Sequence, residues 1–271
     1  MAGTRLADAS STPRLDAEIL LAHVLQISRS QLFAHPEQRV ADKQLRLFAL
    51  LVVARHKGRP VAYLTGQRDF WSLSLKVTPA TLIPRPETEV LVEQALRHVP
   101  VGARWYLLDL GTGSGAIALA LAKERPHCMV TAVDVSNPAL EAARENAKSL
   151  GLQNVEFLQG DWFAPVAGRR YSLIASNPPY VPDTDPHLNA GDLRFEPRRA
   201  LTGGPDGLAA IRKIALRAPA HLEPGGVLAL EHGYDQAAGV RGLLAAAGFG
   251  ELQTFRDLAG IERVTTGRFA D

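Results

Sequence analysis

The second half of the 271-residue chain alternates short apolar runs with alanine-rich stretches of helical periodicity. The apolar runs, which predict buried strands, are Trp105–Leu110, Met129–Val135, Val155–Leu158, Tyr171–Ala175 and Val227–Leu230. The helical stretches between and after them are Ala116–Lys123, Pro138–Ser149, Leu208–Ala218 and Gln236–Ala247. Because strands that are joined through helices run parallel, this order predicts an α/β fold with a doubly wound, mostly parallel sheet. Helices should cover both faces of that sheet.

Two more apolar segments close the chain, Leu252–Phe255 and Glu262–Thr266, with a short turn at Gly260 between them. They predict a final antiparallel pair of strands, which brings the sheet to seven strands. Ligands of such a sheet bind beyond the carboxyl ends of its strands, at the point where the strand order reverses.

The N-terminal part has a different pattern and predicts a second, smaller domain. Apolar residues recur at helical spacing from Leu15 to Leu25 and from Leu45 to Val52. An alternating stretch from Phe70 to Val77 then predicts a β-hairpin, and the prolines that follow it disfavour any regular element. We therefore expect a helical domain with a hairpin linker at residues 1–78 and an α/β domain at residues 79–271.

The charge of the chain is balanced overall but unevenly divided. The chain has 30 Lys and Arg against 28 Asp and Glu, which excludes a protein that coats nucleic acid with its whole surface. The residues before Arg85 have a net charge of +5, and the remainder has a net charge of −3. The basic part is explained equally by a solvated helical surface and by a docking surface for an acidic partner or RNA.

Features of secreted and membrane proteins are missing from the sequence. The single cysteine, Cys128, rules out an internal disulfide and fits a reducing compartment. No stretch approaches the roughly eighteen apolar residues of a membrane helix, and residues 1–13 lack the apolar block of a secretory signal. We expect a cytoplasmic protein without a membrane partner.

A glycine-rich loop, Asp109-Leu110-Gly111-Thr112-Gly113-Ser114-Gly115, follows the first strand of the predicted sheet. Glycines let the backbone turn sharply and approach a ligand, while the following helix offers free amide donors. A dinucleotide-binding loop and a tight turn without a ligand remain alternatives. Asp134 favours a nucleoside, because it ends the second strand, where a carboxylate can accept hydrogen bonds from both ribose hydroxyls.

The loop after the third strand opens on the same crevice and contains Asp161 and Trp162. These side chains are suited to hydrogen-bonding and flanking an adenine. Core packing is an equally good explanation for Trp162.

The most informative stretch is Ser176-Asn177-Pro178-Pro179-Tyr180, at the end of the fourth strand. The side-chain oxygen of Asn177 and a backbone carbonyl, such as that of Pro178, can each accept one hydrogen of a planar NH2 group. Tyr180 can pack on the conjugated plane, and Pro178 and Pro179 keep the backbone stiff before substrate binds. Asn177, Pro178, Pro179 and Tyr180 are therefore the candidate catalytic and substrate-binding residues.

No serine nucleophile elbow, histidine dyad or metal-ligand cluster accompanies this motif in the sequence, so no metal is expected. Catalysis should rest on alignment of the reactants, which suits transfer of a methyl group from a sulfonium to nitrogen. Asp109 is a candidate for holding the ammonium of the methionine portion of such a cofactor. Capping at the strand end explains Asp109 as well.

With these residues the chain resembles the class I S-adenosylmethionine-dependent methyltransferases. Among them it resembles the HemK/PrmC family, the protein-(glutamine-N5) methyltransferases of peptide chain release factors. The segments that carry the resemblance are Pro13–Glu18, Pro60–Gly66, Leu82–Glu89, Asp109–Gly115, Asn177–Tyr180, Glu196–Pro197 and Leu230–Gly233. Asn-Pro-Pro-Tyr alone also occurs in adenine-N6 DNA and RNA methyltransferases, and the segment from Ile83 to Glu89, joined to the helical domain, narrows the choice. The segment before Pro13 is shorter than the first helix usual in the family.

The resemblance implies that the glycine loop, Asp134, Trp162 and Asn177 contact S-adenosylmethionine, which would leave as S-adenosylhomocysteine. It also implies that Asn177 to Tyr180 hold the glutamine of a Gly-Gly-Gln motif, and that the helical domain helps to bind the release factor. We expect a monomer without stable nucleic-acid binding.

Three alternatives come from other functional classes. An adenine-N6 DNA or RNA methyltransferase would use the same clamp on a flipped base, but it would need a larger basic surface than a region of net charge +5. A dehydrogenase would give Asn177 to Tyr180 no role. A binding module without activity would be expected to have lost this motif.

Overall fold

The computed structural model describes residues 2–270 and divides into two compact units. The small unit consists of the chain up to Gln67 together with Asn189–Phe195, and the large unit consists of Arg68–Leu188 and the chain from Glu196 onward. This division differs from the expected one after residue 78. The hairpin belongs to the large unit because Phe70, Leu73 and Leu75 are buried in its core.

The small unit is helical, as the apolar periodicity predicts. Its helices are α1 (Ala2–Leu6), α2 (Pro13–Leu25), α3 (Arg29–Ala34), α4 (Asp42–His56) and α5 (Val61–Thr65). Leu6, Leu20 and Val52 form its buried core. A capping box starts α3, since the Ser28 hydroxyl accepts from the Gln31 amide and the Gln31 side chain accepts from the Ser28 amide.

A buried ion-pair network joins the small unit's two chain segments. The Arg55 side chain on α4 donates through Nε to Asp16 Oδ2 and through Nη1 to Asp192 Oδ1, and each of these hydrogen bonds is 2.6 Å long. Asp16 and Arg55 are both buried, so each charge needs its partner. The segment Asn189–Phe195 is therefore fixed to the N-terminal helices, although more than one hundred residues of sequence lie between them.

The large unit contains a two-stranded hairpin and a seven-stranded sheet, which confirms the predicted fold class. The hairpin strands are β1 (Gln67–Phe70) and β2 (Leu73–Lys76). The sheet strands are β3 (Tyr106–Leu110), β4 (Met129–Asp134), β5 (Val155–Gln159), β6 (Tyr171–Ser176), β7 (Leu222–Glu231), β8 (Phe249–Arg256) and β9 (Glu262–Phe269). Their order is β5-β4-β3-β6-β7-β9-β8, and β9 runs antiparallel to both of its neighbours.

Helices cover both faces of the sheet. They are α6 (Glu89–His98), α7 (Ala116–Glu124), α8 (Asn137–Ser149), α9 (Arg198–Leu201), α10 (Ala209–Arg217) and α11 (Ala237–Ala246). Successive residues of a strand point to opposite faces, so Leu107 and Leu108 enter two different hydrophobic clusters. Burial on both faces explains why the strands read as continuous apolar runs. None of the described helices combines the length and apolar character needed to span a bilayer.

The strand order reverses between β3 and β6. From β3 the chain builds outward through β4 and β5, and it then returns to the other side of β3 with β6 and β7. Leu110 pairs with Ser176 in the parallel register of β3 and β6. The loops that follow these two strands, which contain Gly111 and Asn177, therefore leave the same edge of the sheet at its switch point.

Candidate active site

The glycine loop joins β3 to α7 in a conformation that requires its glycines. Gly113 has a φ of +56°, and nothing lies within 4 Å of the position that a Cβ would occupy. Gly115 has a φ of +86°, and an added Cβ would lie 3.0 Å from Leu119 and 3.2 Å from Ala143. Gly113 therefore faces open space, whereas Gly115 lets α7 pack tightly.

The Asp134 carboxylate at the end of β4 is held by two backbone amides. Its Oδ2 accepts from the Gly113 amide over 2.9 Å, and its Oδ1 accepts from the Ser136 amide over 2.8 Å. Each carboxylate oxygen keeps a further lone pair. The carboxylate is thus oriented and retains the capacity to accept hydroxyl donors.

Asp109 is fully buried at the end of β3. Its Oδ2 accepts from the Thr112 hydroxyl over 2.7 Å and from the Ala118 amide over 3.1 Å. Its Oδ1 has no hydrogen-bond partner among the described residues, and burial raises the pKa of this carboxyl to about 7. Asp109 thus connects the strand end to the start of α7, which is the capping role, and a cofactor contact by Asp109 stays a prediction.

A cleft with about 700 Å³ of empty space, partly open to solvent, lies at the carboxyl ends of the central strands. Seven of the predicted site residues line it: Gly111, Gly113, Asp134, Asp161, Trp162, Asn177 and Pro179. The other six lie outside its lining: Asp109, Thr112, Ser114, Gly115, Pro178 and Tyr180. The structure therefore brings together candidates from four separate loops, as the strand order predicts.

Thr112 and Ser114 are buried and shape the loop from within. The Thr112 hydroxyl binds Asp109, and the Ser114 carbonyl accepts from the Asn146 side chain of α8 over 2.9 Å. The Asn146 side chain also bonds the backbone of Lys76 on β2. The loop conformation is thus supported by α8 and by the hairpin.

Trp162 lies both at the cleft and against the hydrophobic core. It lines the cleft, where its ring carbon Cζ3 is 3.8 Å from the position of an added Cβ on Gly111. It also packs, partly buried, against the hydrophobic cluster that contains Leu108. Contact between Trp162 and an adenine remains a prediction.

Nine further residues that were not predicted from the sequence also line the cleft. They are Ala80, Leu82, Val133, Val135, Ser136, Ala139, Gly160, Arg199 and Ala200. The Arg199 side chain donates to the Ser136 hydroxyl over 2.5 Å, so α9 reaches the start of α8 at the cleft. The available signal was that Leu82 begins one of the segments that carry the resemblance and that Arg199 lies two residues after another, Glu196–Pro197.

The Asn177 amide has a defined orientation. Its Nδ2 donates to the Thr88 hydroxyl oxygen over 3.1 Å, which leaves its Oδ1 available as an acceptor. Tyr180 is held from the opposite side, because its hydroxyl donates to Glu231 Oε1 over 3.0 Å. Burial raises the pKa of the Tyr180 phenol, and the neighbouring Glu231 carboxylate raises it further.

The motif from Ile83 to Glu89 supports the site through side-chain contacts. Buried Glu196 accepts from the Ile83 amide over 3.0 Å and forms an ion pair with Arg85. Thr88 binds Asn177, and Glu89 Oε1 accepts from the backbone amide of Trp71 over 2.9 Å. The motif thus contacts Asn177, Glu196 and the turn of the hairpin.

Potential metal ligands do not form a cluster in residues 2–270. No three His, Cys, Asp or Glu side chains in that range are grouped so that they could hold a metal ion.

Comparison with known proteins places the chain in a family. Family models match at residues 1–66, described as the PrmC N-terminal domain, and at residues 87–196, described as a methyltransferase small domain. A release factor glutamine methyltransferase of Xylella fastidiosa is 53% identical over 255 residues, which is 94% of this chain and 93% of the relative. This chain belongs to the release factor glutamine methyltransferase family.

Other relatives agree with this assignment. The family member of Escherichia coli is 49% identical over 261 residues, which is 96% of this chain and 94% of the relative. The fold is also shared with a solved methyltransferase of Pyrococcus furiosus, with a TM-score of 0.56, 21% identity and coverage of 73% of this chain and 90% of that one. Membership of the family over nearly the whole chain confirms the resemblance that the motifs indicate, and it does not favour the adenine-N6 alternative.

Proposed function

We propose that this protein methylates the side-chain amide nitrogen of the glutamine in the Gly-Gly-Gln motif of peptide chain release factors, with S-adenosylmethionine as the donor. Family membership supports the reaction class. The observation that carries the assignment to this site is the orientation of Asn177, whose nitrogen is bonded to Thr88 while the residue lines the cleft. An amide oxygen presented in this way is an acceptor for an NH2 group.

The cleft residues fit the cofactor. The cleft is lined by residues from four loops at the carboxyl ends of the strands, where sheets of this kind bind their ligands. The open space beside Gly113 permits close backbone approach, and the oriented Asp134 carboxylate suits a ribose diol. Gly111, Gly113, Asp134, Asp161 and Trp162 would hold S-adenosylmethionine, which when bound supplies an electrophilic methyl group.

The substrate side works by positioning. Asn177 Oδ1 accepts one hydrogen of the glutamine amide, and the Pro178 carbonyl accepts the other. Two acceptors fix the nitrogen and polarise its N–H bonds, which raises the electron density on nitrogen. Because Pro178 and Pro179 restrict the backbone, little ordering is needed when the glutamine enters. Alignment of the reacting atoms then supplies most of the rate enhancement.

The small unit provides the surface for the release factor. Its helix α4 exposes the apolar side chains of Leu47, Leu50 and Val53 at a spacing of three residues, which places them along one side of the helix. Exposed apolar side chains of this kind mark protein contacts, and the N-terminal part of the chain is basic. We infer that the enzyme acts as a monomer in the cytoplasm and recognises a protein partner without stable nucleic-acid binding.

A substrate comparison tests this proposal. The full chain is incubated with methyl-labelled S-adenosylmethionine and, separately, with a release factor, its Gly-Gly-Ala variant, tRNA, rRNA and DNA. We expect label in the release factor with Gly-Gly-Gln and none in the other four. Label in a nucleic acid but not in the release factor would assign the enzyme to the adenine-N6 class instead.

A further inference from the structure

Behind the Asn177–Tyr180 motif lies a buried carboxylate to which the positioning scheme above gives no role. Glu231 ends β7, and its side chain is 1% exposed. In the parallel register of β6 and β7, Ser176 pairs with Leu230, so Asn177, which follows β6, and Glu231, the last residue of β7, lie side by side. A buried carboxylate is costly unless its oxygens are well paired, yet Glu231 Oε2 has no hydrogen-bond partner among the described residues.

Glu231 contacts one end of the motif directly and lies near Thr88, which contacts the other end. Tyr180 donates its hydroxyl to Oε1 over 3.0 Å. The Thr88 hydroxyl, which is 4% exposed, lies near the same carboxylate and favours its charged form, although no hydrogen bond of ordinary geometry joins Thr88 to Glu231 in this structure. The oxygen of that hydroxyl also accepts from Asn177 Nδ2 over 3.1 Å. Thr88 therefore stands between Glu231 and Asn177.

The direction of these hydrogen bonds matters for the chemistry. An ionised carboxylate only accepts, whereas a hydroxyl has one hydrogen to donate. If Thr88 directs its hydrogen to Glu231, it can only accept from Asn177, so Asn177 must present Nδ2 to Thr88 and Oδ1 to the substrate. If Thr88 instead donated to Asn177, the amide would turn around and present NH2 to the NH2 of the glutamine.

We propose that Glu231 is a positioning residue that, through Thr88, sets the orientation of the Asn177 amide and, through Tyr180, holds the other end of the motif. This inference rests on the proposed function, since it explains how Asn177 is kept as an acceptor. The proposal gives Glu231, within the Leu230–Gly233 segment, a role in substrate orientation in addition to the role of the Asn177–Tyr180 motif.

Titration of Glu231 should then affect turnover. Burial raises the pKa of Glu231 to about 7, while the Thr88 and Tyr180 hydroxyls and the Arg263 guanidinium favour its charged form. Glu87 acts in the opposite direction, and Arg85 and Arg263 face the Tyr180 phenol. A protonated carboxyl releases Thr88 to donate to Asn177. Turnover should therefore rise as the pH increases through about 7.

The decisive variant is Glu231→Gln, which keeps the size of the side chain and replaces the acceptor-only group by one that also donates. We expect kcat for release-factor methylation to fall by at least about tenfold, with the Kd for S-adenosylhomocysteine unchanged and the rising pH limb lost. Thr88→Val should cause a similar loss, and the double variant should be no slower than either single variant, because both changes act on the orientation of the same Asn177 amide. Thr88→Ser, which keeps the hydroxyl, should restore most of the turnover.

Tyr171→Phe is the matched control. Tyr171 is a buried tyrosine on β6 whose hydroxyl has no hydrogen-bond partner in the described part of the chain, and it lies at the opposite end of the strand from Asn177. Equal losses of kcat in Tyr171→Phe and Glu231→Gln would overturn the proposal, as would a Glu231→Gln enzyme with wild-type kcat and pH profile. Thermal unfolding of each variant confirms that the compared proteins are folded.

A second readout does not depend on activity. The side-chain amide resonances of Asn177, identified by their loss in Asn177→Ala, should shift with pH in the wild-type protein with a midpoint near 7 and should not do so in Glu231→Gln. Resonances that behave identically in both proteins would contradict the positioning role. If the wild-type protein fails to methylate any release factor, the proposed function falls, and the amide titration alone decides whether Glu231 orients Asn177.

Discussion

The backbone amide of Gly113 donates a 2.9 Å hydrogen bond to the Asp134 carboxylate, although 21 residues separate the two in sequence. This bond fixes the glycine loop against the end of β4. The two elements expected to contact the cofactor are thereby set in place before it binds, which lowers the ordering cost of binding.

The first prediction concerns Gly113. A Gly113→Val side chain would project into the open space beside the loop, and its φ of +56° disfavours a β-branched residue. We expect the affinity for S-adenosylhomocysteine to fall by at least about tenfold, measured by calorimetry. Gly151→Val is the control, because Gly151 has a similar φ of +69° and open surroundings but does not line the cleft. Unchanged affinity in Gly113→Val would show that the cofactor binds elsewhere.

The second prediction concerns Asn177. Asn177→Ala removes an acceptor for the substrate amide, which costs about 1–3 kcal/mol and lowers the single-turnover rate by roughly 5- to 150-fold. Asn177→Asp should also be slow, because a carboxylate cannot donate to Thr88 and its charge favours a cationic ground state. Both variants should still bind the cofactor. Wild-type single-turnover rates in both variants would remove Asn177 from the catalytic role.

The third prediction concerns the exposed side of α4. Leu50 is 68% exposed and Val53 is 47% exposed, and we expect the double variant Leu50→Ser/Val53→Ser to lower kcat/KM for an intact release factor by about tenfold. Cofactor affinity should not change. Leu216→Ser on α10 is the control, since Leu216 is 79% exposed in the large unit. An equal effect of both surfaces would argue against recognition by α4.

The fourth prediction is a pH dependence of stability. Burial raises the pKa of Asp109 from 3.8 to about 7, so between these values the folded protein holds a proton that the unfolded chain releases. This contribution is fully present below pH 4 and is lost as the pH rises through 7, at a rate of up to about 1.4 kcal/mol per pH unit. Asp109→Asn does not titrate. Its free energy of unfolding relative to wild type should therefore rise from pH 4 to pH 7 and then level off, as measured by urea denaturation. A constant difference over that range would mean that Asp109 is ionised throughout.

The sheet and the position of the glycine loop at its switch point were predictable because their signals are local in sequence. Strands buried on both faces give unbroken apolar runs, and a loop with positive φ requires glycine, so β3 and the loop from Gly111 to Gly115 could be recognised directly. Asp134 followed because the register of parallel strands places the ends of β3 and β4 together.

Features that depend on distant partners could not be predicted in this way. Thr88 and Asn177 are 89 residues apart, and only the packed chain shows that one orients the other. The segment Asn189–Phe195 is short and polar, so its periodicity contains no sign that it folds with the small unit. The hairpin was assigned to the wrong unit for a related reason, since alternation predicts a strand pair but not the core in which its apolar side is buried.

The chain passes through the small unit twice, first with its N-terminal helices and again with Asn189–Phe195. A single cut therefore cannot separate the two units. A fragment that begins at Arg68 would keep Asp192 but lose Arg55, the cation that binds it. Exchange of the small unit between relatives, whether in evolution or in the laboratory, must therefore transfer both segments together, and the second of them lies between the Asn177–Tyr180 motif and the cleft residue Arg199. Under the function proposed above, residues for specificity and residues for catalysis would alternate along this one stretch of sequence, so a change in one set would affect the other.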